Sequence, residues 1–142
     1  MTLVWEDVKT HLRQRVDYFE AVWSYIWHAQ GGVLVLSLVD PLDRDLQLTD
    51  AADTLGDALL ELEREHPELE FFHIHGEPGR VPLDDVRGYR AGIDGLLECA
   101  LKEIRRTQRG FPGGLVVSEL AVLAAVATLV GDARRLIAEP LR

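Results

Sequence analysis

A chain of 142 residues with 47% hydrophobic side chains can bury one core, and a single domain over 1–142 is predicted. A net charge of −9 excludes a nucleic-acid partner, because phosphates demand clustered lysine and arginine, and it disfavours anionic membrane surfaces. Cys99 is the sole cysteine, which excludes an intrachain disulfide and a cysteine-based zinc cluster.

Met1 to Asp7 has neither a basic n-region nor an apolar h-region, so a cytoplasmic location is predicted. Val4 to Phe19 reads as an amphipathic helix, with Trp5, Val8, Leu12, Val16 and Phe19 at steps of three and four. Residues 21–29 read two ways. Trp23 and Ile26 could continue the helix, with Gly31 as its cap. The run Val22-Trp23-Ser24-Tyr25-Ile26-Trp27 is also dense in strand formers, with Trp23, Tyr25 and Trp27 on one face. The second reading is taken: Gln30-Gly31-Gly32 turns a hairpin into a strand over Val33–Val39, which Pro41 closes.

Thr49 or Asp50 caps a helix over Ala51–His66, with Ala52, Leu55, Leu59 and Leu62 facing the core and Pro67 just past its end. Leu69–His75 is the third strand, and Gly76 to Pro82 is a loop. Asp84 caps a helix to about Gln108, with Val86, Tyr89, Ile93, Leu97, Ala100 and Ile104 inward. The run from Gly110 to Gly114 breaks it, and a last helix covers Val117–Ala138. The predicted fold is a small, helix-rich α/β or α+β domain with a short sheet of about three strands. Its order is helix, strand, strand, helix, strand, helix, helix. The apolar run Leu115–Val130 is shorter than the roughly 20 residues a membrane span requires and is interrupted by Ser118, Glu119 and Thr128. It reads as a buried helix.

The charge is unevenly spread. Between Asp40 and Glu70 lie eleven acids and two bases, and the rest of the chain is neutral. Asp53, Asp57, Glu61 and Glu65 step by four without an intervening lysine. Like charges so spaced cost a few tenths of a kcal/mol per pair. They predict a docking face for a basic protein partner, unless Lys102, Arg105, Arg106 and Arg109 neutralise them. The last helix is apolar nearly all round. Val116, Val122, Leu129 and Val130 cannot all face one core, which predicts a homodimer through this helix.

The alternative chemistry is a metal site. On a strand, His73 and His75 point to one face, and Glu77 could complete a two-histidine, one-carboxylate set for a divalent metal in a hydrolase or small-molecule enzyme. The spacing to the third ligand is not diagnostic, and two histidines on the wet face of a strand account for the pattern better than a metal site does. Gly76, Gly79 and Arg80 suggest a phosphate loop, but Pro78 and Pro82 remove amide donors and no nucleotide-binding motif is present. Gly88, Gly92, Gly95 and Cys99 form one stripe that predicts close packing on the last helix. Cys99 reads as a small core residue, and no serine has a nucleophile context. The leading expectation is therefore a cytoplasmic binding or regulatory protein without catalytic residues or cofactor.

Overall fold

The computed structural model describes residues 18–39, 47–67, 69, 86–110 and 116–138. These form four α-helices: α1 (Tyr18–Val39), α2 (Gln47–Glu65), α3 (Val86–Gly110) and α4 (Val117–Ala138). There is no strand among the described residues, which overturns the α/β or α+β prediction and its three-stranded sheet. Residues 21–29 are helix, and the predicted strand Val33–Val39 is the second half of the same helix. The third predicted strand, Leu69–His75, lies outside the described residues except for Leu69. The helix predicted over Val4–Phe19 lies outside them too, save its last two residues, which open α1.

α1 misled the periodicity argument for a physical reason. Phe19, Val22, Trp23, Tyr25, Ile26, Ala29, Val33 and Leu36 are all buried within an arc of about 160°, and the exposed side of the helix carries further apolar residues, Trp27 and Leu34. With apolar residues on its exposed side too, and no acid, lysine or arginine beyond Glu20, the helix lacks the polar contrast that marks an amphipathic stripe. Its aromatic and β-branched residues then look like a strand. Gly31 and Gly32 sit inside the helix rather than in a turn. Each interior glycine costs about 1 kcal/mol against alanine. Burial of one large apolar side chain contributes about 1.5–3 kcal/mol, and α1 buries many. Tertiary burial outweighs local propensity here.

α2 and α3 are amphipathic, α4 is apolar on much of its exposed face as well, and the sequence locates all three. α2 buries Leu48, Ala51, Ala52, Leu55, Ala58, Leu59 and Leu62. It begins at Gln47, so Thr49 and Asp50 lie in its first turn instead of capping it. Its last bonds are His66 N–H to Leu62 O and Leu69 N–H to His66 O. Pro67, with no N–H to donate, stops the helix. α3 buries Ile93, Leu96, Leu97, Ala100, Leu101 and Ile104. α4 buries Leu123, Val126, Val130, Ala133 and Ile137. Glu119 accepts the Val116 N–H at 3.1 Å, which satisfies a free donor at the start of α4.

The four helices stand in a ring, α1–α2–α4–α3, around one core. Trp23 meets Glu63 and Gln30 meets Ala52, so α1 and α2 are antiparallel. Arg90 meets Ile137 and Asp94 meets Arg134, so α3 and α4 are antiparallel. His66 bonds Glu119 at 2.9 Å, placing the end of α2 beside the start of α4. The bundle therefore runs up, down, down, up. α2 and α3 are parallel and face each other across a diagonal.

The glycine stripe of α3 does not lie at the centre of an interface. Gly88 is exposed, and Gly92, Gly95 and Cys99 are half-buried along the edge of the core-facing side. The surplus predicted for α4 is smaller than the sequence suggests. Val130 is buried, and Val122 and Leu129 pack partly on the core. Val116 remains 59% exposed, beside Val117 at 83% and Leu120 at 40%.

Candidate functional site: an indole and carboxylate groove

α1 and α2 leave an open groove of about 740 Å³ between them. It is lined by Trp23, Trp27 and Gln30 from α1 and by Asp53, Gly56, Asp57, Leu59, Leu60 and Glu63 from α2. The two indoles are one helical turn apart, so they fall on the same side of α1. Their rings are nearly parallel, with centroids 5.9 Å apart and 12° between planes. Trp23 is buried, whereas Trp27 is 39% exposed. The buried His28 ring stands edge-on to Trp27 at 4.9 Å. Trp27 is thus held by rings on its own helix while part of its surface meets solvent.

α2 supplies the charge. Trp23 Nε1–H donates to Glu63 Oε2 at 3.1 Å, which fixes that carboxylate at the groove. Asp53 and Asp57 are exposed, one turn apart on the same wall. Among the described residues none of Asp53, Asp57 and Glu63 has an ion-pair partner. Leu60, 57% exposed, stands between the acids and gives the wall an apolar patch. Gln30 Nε2–H donates to Ala52 O at 3.1 Å and ties the helices together at the other end of the groove. Gly56 makes room for that tie: a Cβ there would lie 2.9 Å from Gln30 Nε2.

Two of the four predicted docking acids are elsewhere. Glu61 is half-buried and pairs with Arg64 at 3.1 Å. Glu65 accepts a hydrogen bond from Ser118 Oγ at 2.7 Å, at the junction of α2 and α4. Steps of four overshoot a full turn by about 40° each, so a stripe four residues long rotates by about 120° from end to end. Asp53 and Asp57 therefore face the groove, and Glu65 faces α4. The predicted neutralising bases also serve other ends. Lys102 pairs with Glu98 and Arg106 with Glu103, all on α3, which lies across the diagonal from α2.

Sequence reasoning missed Trp27, Leu60 and Glu63. The signal was present: Trp23 and Trp27 are spaced as neighbours on a helix, but a strand reading placed Tyr25 between them on the same face. In the helix Tyr25 turns away and is buried.

His73, His75 and Glu77 lie outside the described residues. Among the described residues no group of three or more histidine, cysteine or acidic side chains is arranged to hold a metal ion. Nor is any helix among them long and apolar enough to cross a membrane. No family model matches the chain, and no curated protein and no solved structure is significantly similar to it.

Proposed function

We propose that this protein is a binding or regulatory module that docks a basic protein partner on the α1–α2 groove. The observation that carries the reading is an exposed tryptophan and leucine set among carboxylates that have no ion-pair partner among the described residues. Structural surface charge is ordinarily paired or solvated away from apolar groups, whereas protein-binding patches centre on an aromatic anchor with a polar rim. The chain's charge of −9 would attract a basic partner over distance, and the groove acids would orient it. Trp27 and Leu60 would then be removed from water on contact. The function needs no catalytic group.

Affinity capture with the wild type and with Asp53→Asn/Asp57→Asn/Glu63→Gln, each at low and high salt, tests this. A basic protein retained by the wild type and released both by salt and by the triple variant supports the reading. Retention by the triple variant equal to wild type overturns it.

The exposed face of α4 supports self-association as a second contact. From Leu120 to Gly131 the helix carries no charge, and Val117, Leu120, Ala121 and Ala124 are exposed along it. Two copies with the same strong negative charge can approach most closely through such a face. Light scattering at micromolar concentration should give the mass of a dimer, and Leu120→Glu should give a monomer. A wild-type monomer would remove the dimer without touching the groove.

A further inference from the structure

We infer that the groove recognises arginine rather than positive charge in general, anchoring an arginine side chain of its partner between Trp27 and the carboxylates of α2. The inference rests on the docking reading above and sharpens it.

Two kinds of group converge here. One is an indole with open surface, Trp27, backed by the parallel ring of Trp23. The other is a set of carboxylates on one wall: Asp53 and Asp57, and Glu63 held in place by the Trp23 N–H. A lysine ammonium is compact and strongly hydrated, and it gains from the carboxylates but little from a flat ring unless it sheds its water. A guanidinium is planar and weakly hydrated. It can lie against an indole by cation–π contact and, in the same pose, direct its N–H groups sideways to carboxylates. Asp53 and Asp57 come from successive turns of α2, with side-chain positions about 5–6 Å apart, a span that the fork of a guanidinium can address, and Glu63 lies about 9 Å further along the same wall. Leu60 and Leu59 offer apolar surface for the three-carbon stem. At about 740 Å³ the groove exceeds one side chain, so it accommodates the residues flanking the arginine as well.

Charge-matched hexaarginine and hexalysine peptides are the probes. They are titrated calorimetrically into the full chain, into Trp27→Leu, and into Glu63→Gln, which keeps an acceptor for the Trp23 N–H. Melting curves check that each variant is folded. The expected result is at least about fivefold tighter binding of hexaarginine by the wild type. That margin should shrink toward one in Trp27→Leu while both peptides still bind through the remaining acids. In Glu63→Gln both peptides should weaken, hexaarginine more. Equal affinity of the two peptides for the wild type overturns the arginine preference and leaves electrostatic docking standing. A margin that survives Trp27→Leu overturns it too. Binding of neither peptide sinks the docking reading itself.

Discussion

The two antiparallel helix pairs of this bundle handle charge in opposite ways. Across α3 and α4, Arg134 grips Asp94 with two hydrogen bonds of 2.8 and 3.1 Å. The bond to Asp94 raises the Arg134 pKa above its ordinary value. An arginine is charged throughout the working pH range in any case, so the pair brings no pH switch. Arg90 donates to Ile137 O at the end of α4, where carbonyls lack helical partners. Lys102, Arg106 and Arg135 pair with acids one turn away on their own helices. Across α1 and α2 the pattern reverses. Glu63 is a charged side chain bonded between the two, and its partner is a neutral indole. The acids and bases of the α3–α4 pair mostly bond one another, with Arg105 and Arg109 exposed outside those pairs, while Asp53, Asp57 and Glu63 at the α1–α2 groove have no ion-pair partner among the described residues. That difference is the case for placing function in the groove.

The largest effect should come from neutralising the groove. In Asp53→Asn/Asp57→Asn/Glu63→Gln, affinity for a cationic partner should fall at least about tenfold, mostly through the association rate and most at low salt. Thermal stability should hold or rise slightly, since repulsion between Asp53 and Asp57 is relieved. A drop in melting temperature with unchanged binding would mean that these acids support the fold, and the contrast between the two helix pairs would collapse.

The reverse behaviour is expected on the other side. A double-mutant cycle with Asp94→Ala and Arg134→Ala should give a coupling of about 1 kcal/mol in stability. The pair is part-exposed, so solvent screening keeps it near the range of surface pairs despite its bidentate geometry. Binding of cationic peptides should not change. Coupling that appears in binding instead would extend the functional surface to α3 and α4.

Two glycines sharpen the comparison further. Gly131 is inside α4, and a Cβ there would meet nothing within 4 Å. Gly131→Ala should stabilise the protomer by about 0.5–1 kcal/mol through helix propensity, read as a raised melting temperature. Gly56→Ala gains the same propensity, but its Cβ would press on Gln30 Nε2 at 2.9 Å. The side-chain end can move, at the cost of the bond to Ala52 O, worth about 1 kcal/mol. The two terms nearly cancel, so a change within about 0.5 kcal/mol is expected. A Gly56→Ala gain as large as that of Gly131→Ala would show that the Gln30 tie contributes nothing.

Legibility in the sequence followed amphipathicity. α2 and α3 each have one wet face, so Leu55, Leu59 and Leu62, or Ile93, Leu97, Ala100 and Ile104, announce a helix by spacing alone. α4 runs over the predicted residues, Val117–Ala138. α1 announces nothing of the kind, because apolar Trp27 and Leu34 on its exposed side give no polar contrast to the buried Val22, Tyr25, Ile26 and Ala29. The site was half legible for a related reason. Asp53 and Asp57 stand out as charge, but which acids share a surface depends on what each turn of α2 packs against. That placed Glu63 in the groove and took Glu65 to Ser118. Trp27 could be recognised as exposed only once α1 was known to be a helix.

The up, down, down, up arrangement bears on how the chain reaches this state. The most extensive interfaces are α2 with α4 and α1 with α3, which join residues far apart in sequence. The contact between the sequence neighbours α3 and α4 is the least extensive of the four. A hairpin of α3 and α4 would leave most of its apolar surface in water until α1 and α2 arrive, so it should not persist alone. The four described helices should therefore melt as one cooperative unit. Folding should be slower than in a bundle built from adjacent hairpins, because the rewarding contacts come only after long loops have closed.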